Sequence, residues 1–247
     1  MGKLEGKVAL VTGGGTGIGR ATALAFSREG IDVAVNYSRS KAEAEATAAE
    51  IEGLGRKAMA VCADVSDDAA VRNMVDQVAT ELGRLDILVN NAGWTKYVPM
   101  EDLEGLNDDA WDRCFDVNVK GTFHCSRAAV PKMKANGAGQ IVNIASIAGL
   151  IGRGSSMAYA ASKAAVISLT KSLAIVLAPE IRVNAILPGV VDTRWMVGME
   201  LFMEANVQAT PLKKGAQPED VAEVVMGVVR SDMMTGQNLV VDGGRTL

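Results

Sequence analysis

The chain has 247 residues, 49% of them hydrophobic, which suits one large domain with a sizeable core. Its formal net charge of −4 and pI near 5.2 argue against nucleic acid as a routine partner. The single histidine, His124, excludes a multi-histidine metal site, so no metal is expected, and it leaves a Ser-His-Asp hydrolase only that one residue.

Short β-branched runs alternate with alanine-rich helical stretches along the chain. A strand over residues 8–12 leads into a helix over 17–29, and a strand over 32–36 into a helix over 40–54. A strand over 57–63 precedes a helix over 68–82, and a strand over 86–90 precedes a long helical stretch over 108–135. Then come a strand over 140–145, a helix over 157–177, a strand over 182–187, a helix over 219–230 and a last strand over 238–241. Apolar strands without polar alternation are what a parallel sheet covered on both faces requires. The expected fold is therefore α/β: a doubly wound parallel sheet in a three-layer α/β/α sandwich, one domain over residues 1–247. Residues 192–217 form the loosest region, rich in Met, and they follow a strand, which puts them on the ligand side of the sheet.

Three features point to chemistry. First, Thr12-Gly13-Gly14-Gly15-Thr16-Gly17-Ile18-Gly19 joins the first strand to the first helix. Glycines let backbone approach a pyrophosphate closely, and the helix start offers free N–H groups. A merely tight turn is the alternative, since the spacing departs from the strict GxGxxG pattern. Second, Tyr159 and Lys163 stand four apart, on one helix face. An ammonium beside a phenol favours the phenolate and draws the Tyr pKa down from about 10 towards working pH. Third, Ser146 lies thirteen residues upstream, at the end of an apolar run, where its hydroxyl can hold a carbonyl oxygen beside that phenol.

The order TGGGTGIG, then Asn90-Asn91-Ala92-Gly93, then Ser146, then Tyr159 and Lys163, then Pro188-Gly189, resembles the short-chain dehydrogenases/reductases over nearly the whole chain. Within that family the chain looks most like the 3-oxoacyl-acyl-carrier-protein reductases. The resemblance implies a single Rossmann-type domain and an NAD(P)(H)-dependent oxidoreductase acting on ketones and secondary alcohols. It implies a catalytic set of Asn118, Ser146, Tyr159 and Lys163, with Asn118 holding a proton-relay water. It also implies cofactor contacts from Gly13, Gly15, Thr16, Gly17, Ile18 and Gly19, from Asp64 (to the adenine) and Val65, and from Asn91, Ala92 and Gly93. Further contacts are implied from Tyr159, Lys163, Pro188, Gly189 and Thr193, the last fixing the carboxamide, while Asn90 supports the central sheet.

The second strand ends Val35-Asn36-Tyr37-Ser38-Arg39, with no carboxylate to take a ribose 2′-hydroxyl. Ser38 and Arg39 suit a 2′-phosphate instead, so NADP(H) is favoured and NAD(H) stays possible. The Met-rich region is expected to act as a substrate lid. Trp94, Ile147, Leu150, Ile151, Met157, Val190, Trp195 and Met196 are expected to line an apolar pocket for a small carbonyl or alcohol substrate. Carrier-protein reductases resemble one another in basic residues on two helices; here the corresponding positions are Pro131 and Ile175, although Lys132 and Lys134 stand near the first. A small free substrate is therefore preferred over a carrier-protein or coenzyme A thioester. A non-catalytic NADP-binding sensor is the alternative of another class. The family also pairs two long helices between subunits, which here implies a homotetramer or homodimer through 108–135 and 157–177.

Cys62, Cys114 and Cys125 form no CxxC pair and read as reduced, mostly buried thiols. His124 reads as structural or interfacial. The first residues lack the apolar core of a secretory signal, and no apolar stretch is expected to reach membrane-spanning length. A cytoplasmic protein with no membrane partner is the expectation.

Overall fold

Runs of Val, Ile, Leu and Ala bury both faces of each central strand, and that is what selects a parallel sheet with helices above and below. The computed structural model describes residues 4–247 and, at Met196, the backbone alone. Its elements in chain order are β1 (Val8–Val11), α1 (Gly17–Arg28), β2 (Asp32–Tyr37), α2 (Lys41–Gly53), β3 (Ala58–Cys62) and α3 (Asp68–Glu81). Next are β4 (Ile87–Asn90), α4 (Asp108–Phe115), α5 (Gly121–Ala135), β5 (Gly139–Ile144), α6 (Ala148–Ile151) and α7 (Met157–Leu177). The series ends with β6 (Ile181–Pro188), α8 (Glu200–Ala209), α9 (Pro218–Arg230) and β7 (Asn238–Val241).

The seven strands lie in the order β3-β2-β1-β4-β5-β6-β7, all parallel. Val11 faces Val35 on one side and Val89 on the other. Strand order therefore reverses between β1 and β4, and a crevice opens at the carboxyl ends there. One core packs α1, α2 and α9 against the sheet through Phe26, Ile51 and Val225. The other packs α3, α5 and α7 through Met74, Met133 and Leu173. The doubly wound three-layer fold expected from the sequence is the one observed.

Polar side chains tie the second layer to the sheet. Asn90 Nδ2 donates to Asn143 Oδ1 at 2.8 Å and to Ser126 Oγ at 3.1 Å, joining β4, β5 and α5. Asn143 Nδ2 donates to Thr170 Oγ1 of α7 at 2.9 Å. All four residues are buried. Asn90 thus supports the sheet centre as expected.

Three local readings need correction. The stretch 108–135 is not one regular helix: α4 passes through a π-helical turn at Asp116–Lys120 before α5 begins. A side chain at Gly121 would meet Val65 Cγ2 at 2.6 Å, so the wide turn ends where the backbone must pass close to the β3–α3 connection. Residues 192–217, expected to be loose, contain a 3₁₀ turn at Arg194–Met196 and then α8. A bridge between Val191 and Ala216 closes the base of that excursion. Finally, α7 does reach membrane-spanning length and apolarity, with 21 residues and a window hydropathy of 1.5. It packs along the sheet with Ser162, Lys163 and Thr170 buried, as a core helix does.

The buried amide chain gives a stability prediction. Asn143→Ala leaves Asn90 Nδ2 with Ser126 alone and Thr170 Oγ1 without its donor, and should cost about 2–3 kcal/mol. Urea unfolding would show it as a lower midpoint with an unchanged m value; an unshifted midpoint would remove the network from the stability of the fold.

Candidate active site

The crevice at the carboxyl ends of β1, β4, β5 and β6 is a cleft of about 880 Å³. Its floor begins at the glycine loop. Thr12 Oγ1 accepts the N–H groups of Asn91 (2.9 Å) and Ala92 (3.0 Å), locking the ends of β1 and β4 together. Asn91 Nδ2 donates to the carbonyls of Thr12 and Gly13. Gly17 opens α1 in the left-handed region (φ +53), and a Cβ at Gly19 would lie 2.4 Å from the Gly13 carbonyl. Gly19 is therefore a packing residue behind the loop, whereas Gly13, Gly15, Thr16, Gly17 and Ile18 line the cleft. The first N–H groups of α1 have no side-chain cap, because Thr16 supplies none.

Ser146, Tyr159 and Lys163 converge on the cleft from β5 and α7. Ser146 directly follows the sheet: its Oγ accepts the Ala148 N–H at 3.1 Å and donates to the Pro188 carbonyl at 3.4 Å. Ser156 caps α7 and accepts the Tyr159 N–H, which sets Tyr159 in the first turn and Lys163 one turn on. Burial pushes the Tyr159 phenol up to about 12, against hydrogen bonding to Ser146, which favours the phenolate. Burial pushes Lys163 down to about 8. Lys163 Nζ lies 5.6 Å from the Tyr159 ring centroid and donates to the Ile144 carbonyl at 2.8 Å. The expected lowering of the Tyr pKa is thus reversed: desolvation outweighs the hydrogen bond with Ser146, and the Lys163 ammonium is anchored to the sheet at Ile144 O. A phenol that keeps its proton at neutral pH is suited to donating one.

Asn118 stands apart from this group. Its Oδ1 accepts the Trp94 N–H at 2.8 Å, and its Nδ2 donates to Trp94 O (3.0 Å) and Ser162 Oγ (2.9 Å). Ser162 Oγ in turn donates to the Tyr159 carbonyl. Both amide hydrogens are therefore spent on protein, so the side chain serves as a positioning group behind the wall. It joins the π-helical turn to the chain after β4 and to α7.

At the other end of the cleft, Asn36 turns its side chain inward, accepting the Gly13 N–H and donating to the carbonyls of Val61 and Ala63. Ser38 and Arg39 line the mouth and are exposed. Asp64 also lines it, with Val65. Burial raises the Asp64 carboxyl, but hydrogen bonds from Ser66 and Arg113 outweigh that and hold it down at about 2. Among the other expected positions, Asn91, Ala92, Gly93, Trp94, Ile147, Ile151, Pro188, Gly189, Val190, Thr193 and Trp195 line the cleft. Met157 and Leu150 do not line it, and the Met196 side chain lies outside the described residues.

Several lining residues were not expected from the sequence: Arg113, Arg153, Arg194, Phe202 and Arg245. Arg194 crosses to α2, donating to Glu43 (2.6 Å) and Ser40 (2.5 Å). Phe202 of α8 meets Tyr97 edge-on at 5.9 Å, and Trp195 lies 6.3 Å from Tyr159. Arg153, Arg194 and Arg245 sit on turns, where no periodicity marks them, and Arg113 and Phe202 lie on short helices α4 and α8. Cys114 and Cys125 are buried, with thiols pushed up to about 11 and about 12 by burial, so both are inert packing. His124 Nδ1 lies 3.2 Å from the Val65 carbonyl, a structural contact.

The family model described as short chain dehydrogenase matches residues 7–201. A protein of Streptomyces violaceoruber named as ketoacyl reductase 2 of the granaticin polyketide synthase is 43% identical over 246 residues, covering 98% of this chain and 97% of its own. The 3-oxoacyl-acyl-carrier-protein reductase of Thermotoga maritima is 38% identical over 247 residues, with 98% of each chain covered. The crystal structure of a short chain dehydrogenase from Burkholderia cenocepacia in complex with NADP superposes with a TM-score of 0.92 at 40% identity, covering 99% of this chain and all of that one.

The buried ammonium has a consequence for stability. The folded pKa of Lys163 lies below its ordinary 10.5, so the unfolded chain binds more protons between about pH 8 and 10.5. Its contribution to stability therefore grows as pH rises through that window. The unfolding free energy of the wild type should rise relative to Lys163→Met from pH 8 to 10.5; parallel curves would mean an unperturbed lysine.

Proposed function

The chain belongs to the short-chain dehydrogenase/reductase family and is an oxidoreductase of CH–OH and keto groups, and on that premise we propose that it interconverts a small, mostly apolar ketone and its secondary alcohol with NADP(H). The observation that carries this reading is the convergence of Ser146, a protonated Tyr159 and Lys163 on one cleft with the glycine loop. The cleft fits a dinucleotide: Gly13, Gly15, Thr16, Gly17 and Ile18 line it, and the N-terminus of α1 that they lead into carries no side-chain cap. Bound there, a nicotinamide supplies the hydride.

The chain's own residues manage the proton. In reduction, Tyr159 donates its phenolic proton to the carbonyl oxygen while the Ser146 hydroxyl donates a hydrogen bond to the same oxygen. Lys163 stabilises the phenolate left behind and stands ready for ribose hydroxyls. Asn118 holds Trp94 and Ser162, and so the wall opposite Tyr159. In oxidation Tyr159 takes the proton back. Ser38, Arg39 and the missing carboxylate after β2 support NADP(H) over NAD(H), without excluding the latter. The NADP complex of the Burkholderia cenocepacia protein supports the same choice.

Residues 192–217 act in this reading as a lid, held over the cleft by Arg194, Trp195 and Phe202. A 3-oxoacyl thioester is the second reading, favoured by the names of the two relatives. Against a carrier protein, Ile175 is 78% exposed where a basic residue is wanted, and Lys132 is held by Asp76 at 2.7 Å. We assign the apolar exposed faces of α5 and α7, with Phe123, Ile175 and Val176, to a homodimer or homotetramer interface. Three free cysteines support a cytoplasmic setting.

Tyr159→Phe should lower kcat/KM for ketone reduction by about a thousandfold or more while NADPH binding persists. Arg39→Ala should raise KM for NADPH about tenfold or more and leave that for NADH almost unchanged. Both are read by NADPH absorbance over ketones, 3-oxoacyl thioesters and secondary alcohols. Retained turnover in Tyr159→Phe sinks the mechanism, and turnover confined to thioesters selects the second reading. Cofactor binding without any turnover favours a sensor.

A further inference from the structure

Six cationic side chains but only two carboxylates line the cleft of a chain whose net charge is −4. Most of these cations have work. Arg113 holds Asp64, Arg194 holds Glu43, and Lys163 is anchored on Ile144 O. Arg39 stands at the mouth after β2 and Arg153 in the turn after α6, and both are exposed to solvent. Arg245 is different. Its Nε is shut off from solvent and has no acceptor, and the guanidinium forms no ion pair among the described residues. A guanidinium that lines the cleft and that no protein carboxylate takes is open to an acceptor that arrives from outside.

The local fold explains why no protein carboxylate takes that role. Asp242, the nearest acid in the chain, spends both oxygens on backbone: Oδ1 accepts the Gly244 N–H (2.8 Å) and Oδ2 the Thr246 N–H (2.9 Å). Those bonds fold residues 242–246 into the turn that carries Arg245. The turn is seated beside the Pro188-Gly189 turn, since a Cβ at Gly189 would meet Asp242 Cα at 3.0 Å and Gly189 N donates to Val241 O at 2.9 Å. On its other side, Leu212 N donates to Gly243 O at 3.1 Å, beyond α8.

Sheet order separates this arginine from the dinucleotide phosphates. Arg39 follows β2 and the glycine loop follows β1, whereas Ser146 follows β5 and Arg245 follows β7, at the opposite edge. Arg245 therefore stands in the half of the cleft that holds the reacting carbonyl. Between lie apolar walls from Ile147, Val190, Met199 and Phe202.

We propose that Arg245 anchors a carboxylate of the substrate, so that the substrate class is an oxo acid and its hydroxy acid. Such a molecule presents an apolar body to the walls, its carbonyl to Ser146 and Tyr159, and its carboxylate to the Nη groups of the guanidinium. This rests on the ketone–alcohol reading of the same cleft and narrows it.

The test separates the two. Calorimetry on the full chain, with and without NADP, compares cyclohexanecarboxylate with cyclohexanecarboxamide for the wild type, Arg245→Met and Arg245→Lys. The acid should bind on the order of tenfold to a hundredfold tighter than the amide in the wild type. Arg245→Met should erase that preference and Arg245→Lys retain part of it. NADPH turnover of 4-oxocyclohexanecarboxylate against its methyl ester should show the same preference and the same loss. Equal affinity for acid and amide, an Arg245→Met variant that still prefers the acid, or one that weakens NADP instead, overturns the proposal. An Arg245-dependent acid preference without turnover of either ketone leaves the anchor standing and overturns the reductase reading.

Discussion

The site depends on a short chain of buried amides and hydroxyls at the sheet centre. Asn90 and Asn143 face each other across β4 and β5, and through Ser126 and Thr170 they fix α5 and α7 to those strands. Ser146 follows the same β5, Lys163 is on the same α7, and Lys163 reaches back to the last residue of β5. The relative placement of the hydroxyl, the phenol and the ammonium is thus set by bonds in a dry interior. There, leaving any partner unpaired costs a kilocalorie or more, so few alternative arrangements compete. Asn118 extends the same scheme outward, from the π-helical turn to Trp94 and Ser162.

That division explains what the sequence disclosed. Strands buried on both faces write continuous apolar runs, so 140–145 and 182–187 were legible, as was the doubly wound order. Ser146, Tyr159 and Lys163 were legible because one strand end and one helical turn bring them together. Asn118 was found but its ties to Trp94 and Ser162 were not: hydrogen-bond partners distant in sequence leave no spacing to read. The π-helical turn was invisible because it inserts into a helix without changing composition. The Tyr159 pKa was misjudged because spacing gives the neighbour's charge but not the desolvation, and desolvation is the larger influence. Gly19 was read as a cofactor contact, yet its closeness to Gly13 shows a packing demand that looks identical in sequence.

The excursion over 192–217 is held in another way. No residue of α8 is buried; beyond the backbone bonds at its base and at Leu212, the excursion is tied to the cleft by aromatic edges and the partly exposed Arg194–Glu43 pair. Exposed pairs of this kind are worth about 1 kcal/mol or less. Segments with so little buried surface open at low cost, whereas α7 opens only with the domain. In the lid reading proposed above, this is the wall that yields, while the wall built on β5 and α7 stays fixed.

The C-terminal turn beyond β7 adds a consequence for how such a chain diversifies. Asp242 holds that turn with its own backbone, and Gly243 and Gly244 press it against Thr210 and Pro211. None of these contacts involves β5, α7 or the amide chain beneath them. A replacement at position 245, or along α8, reshapes the far wall without disturbing the parts that move the proton. The architecture separates what is invariant in the chemistry from what is negotiable in the substrate, and lets the second vary while the first is inherited.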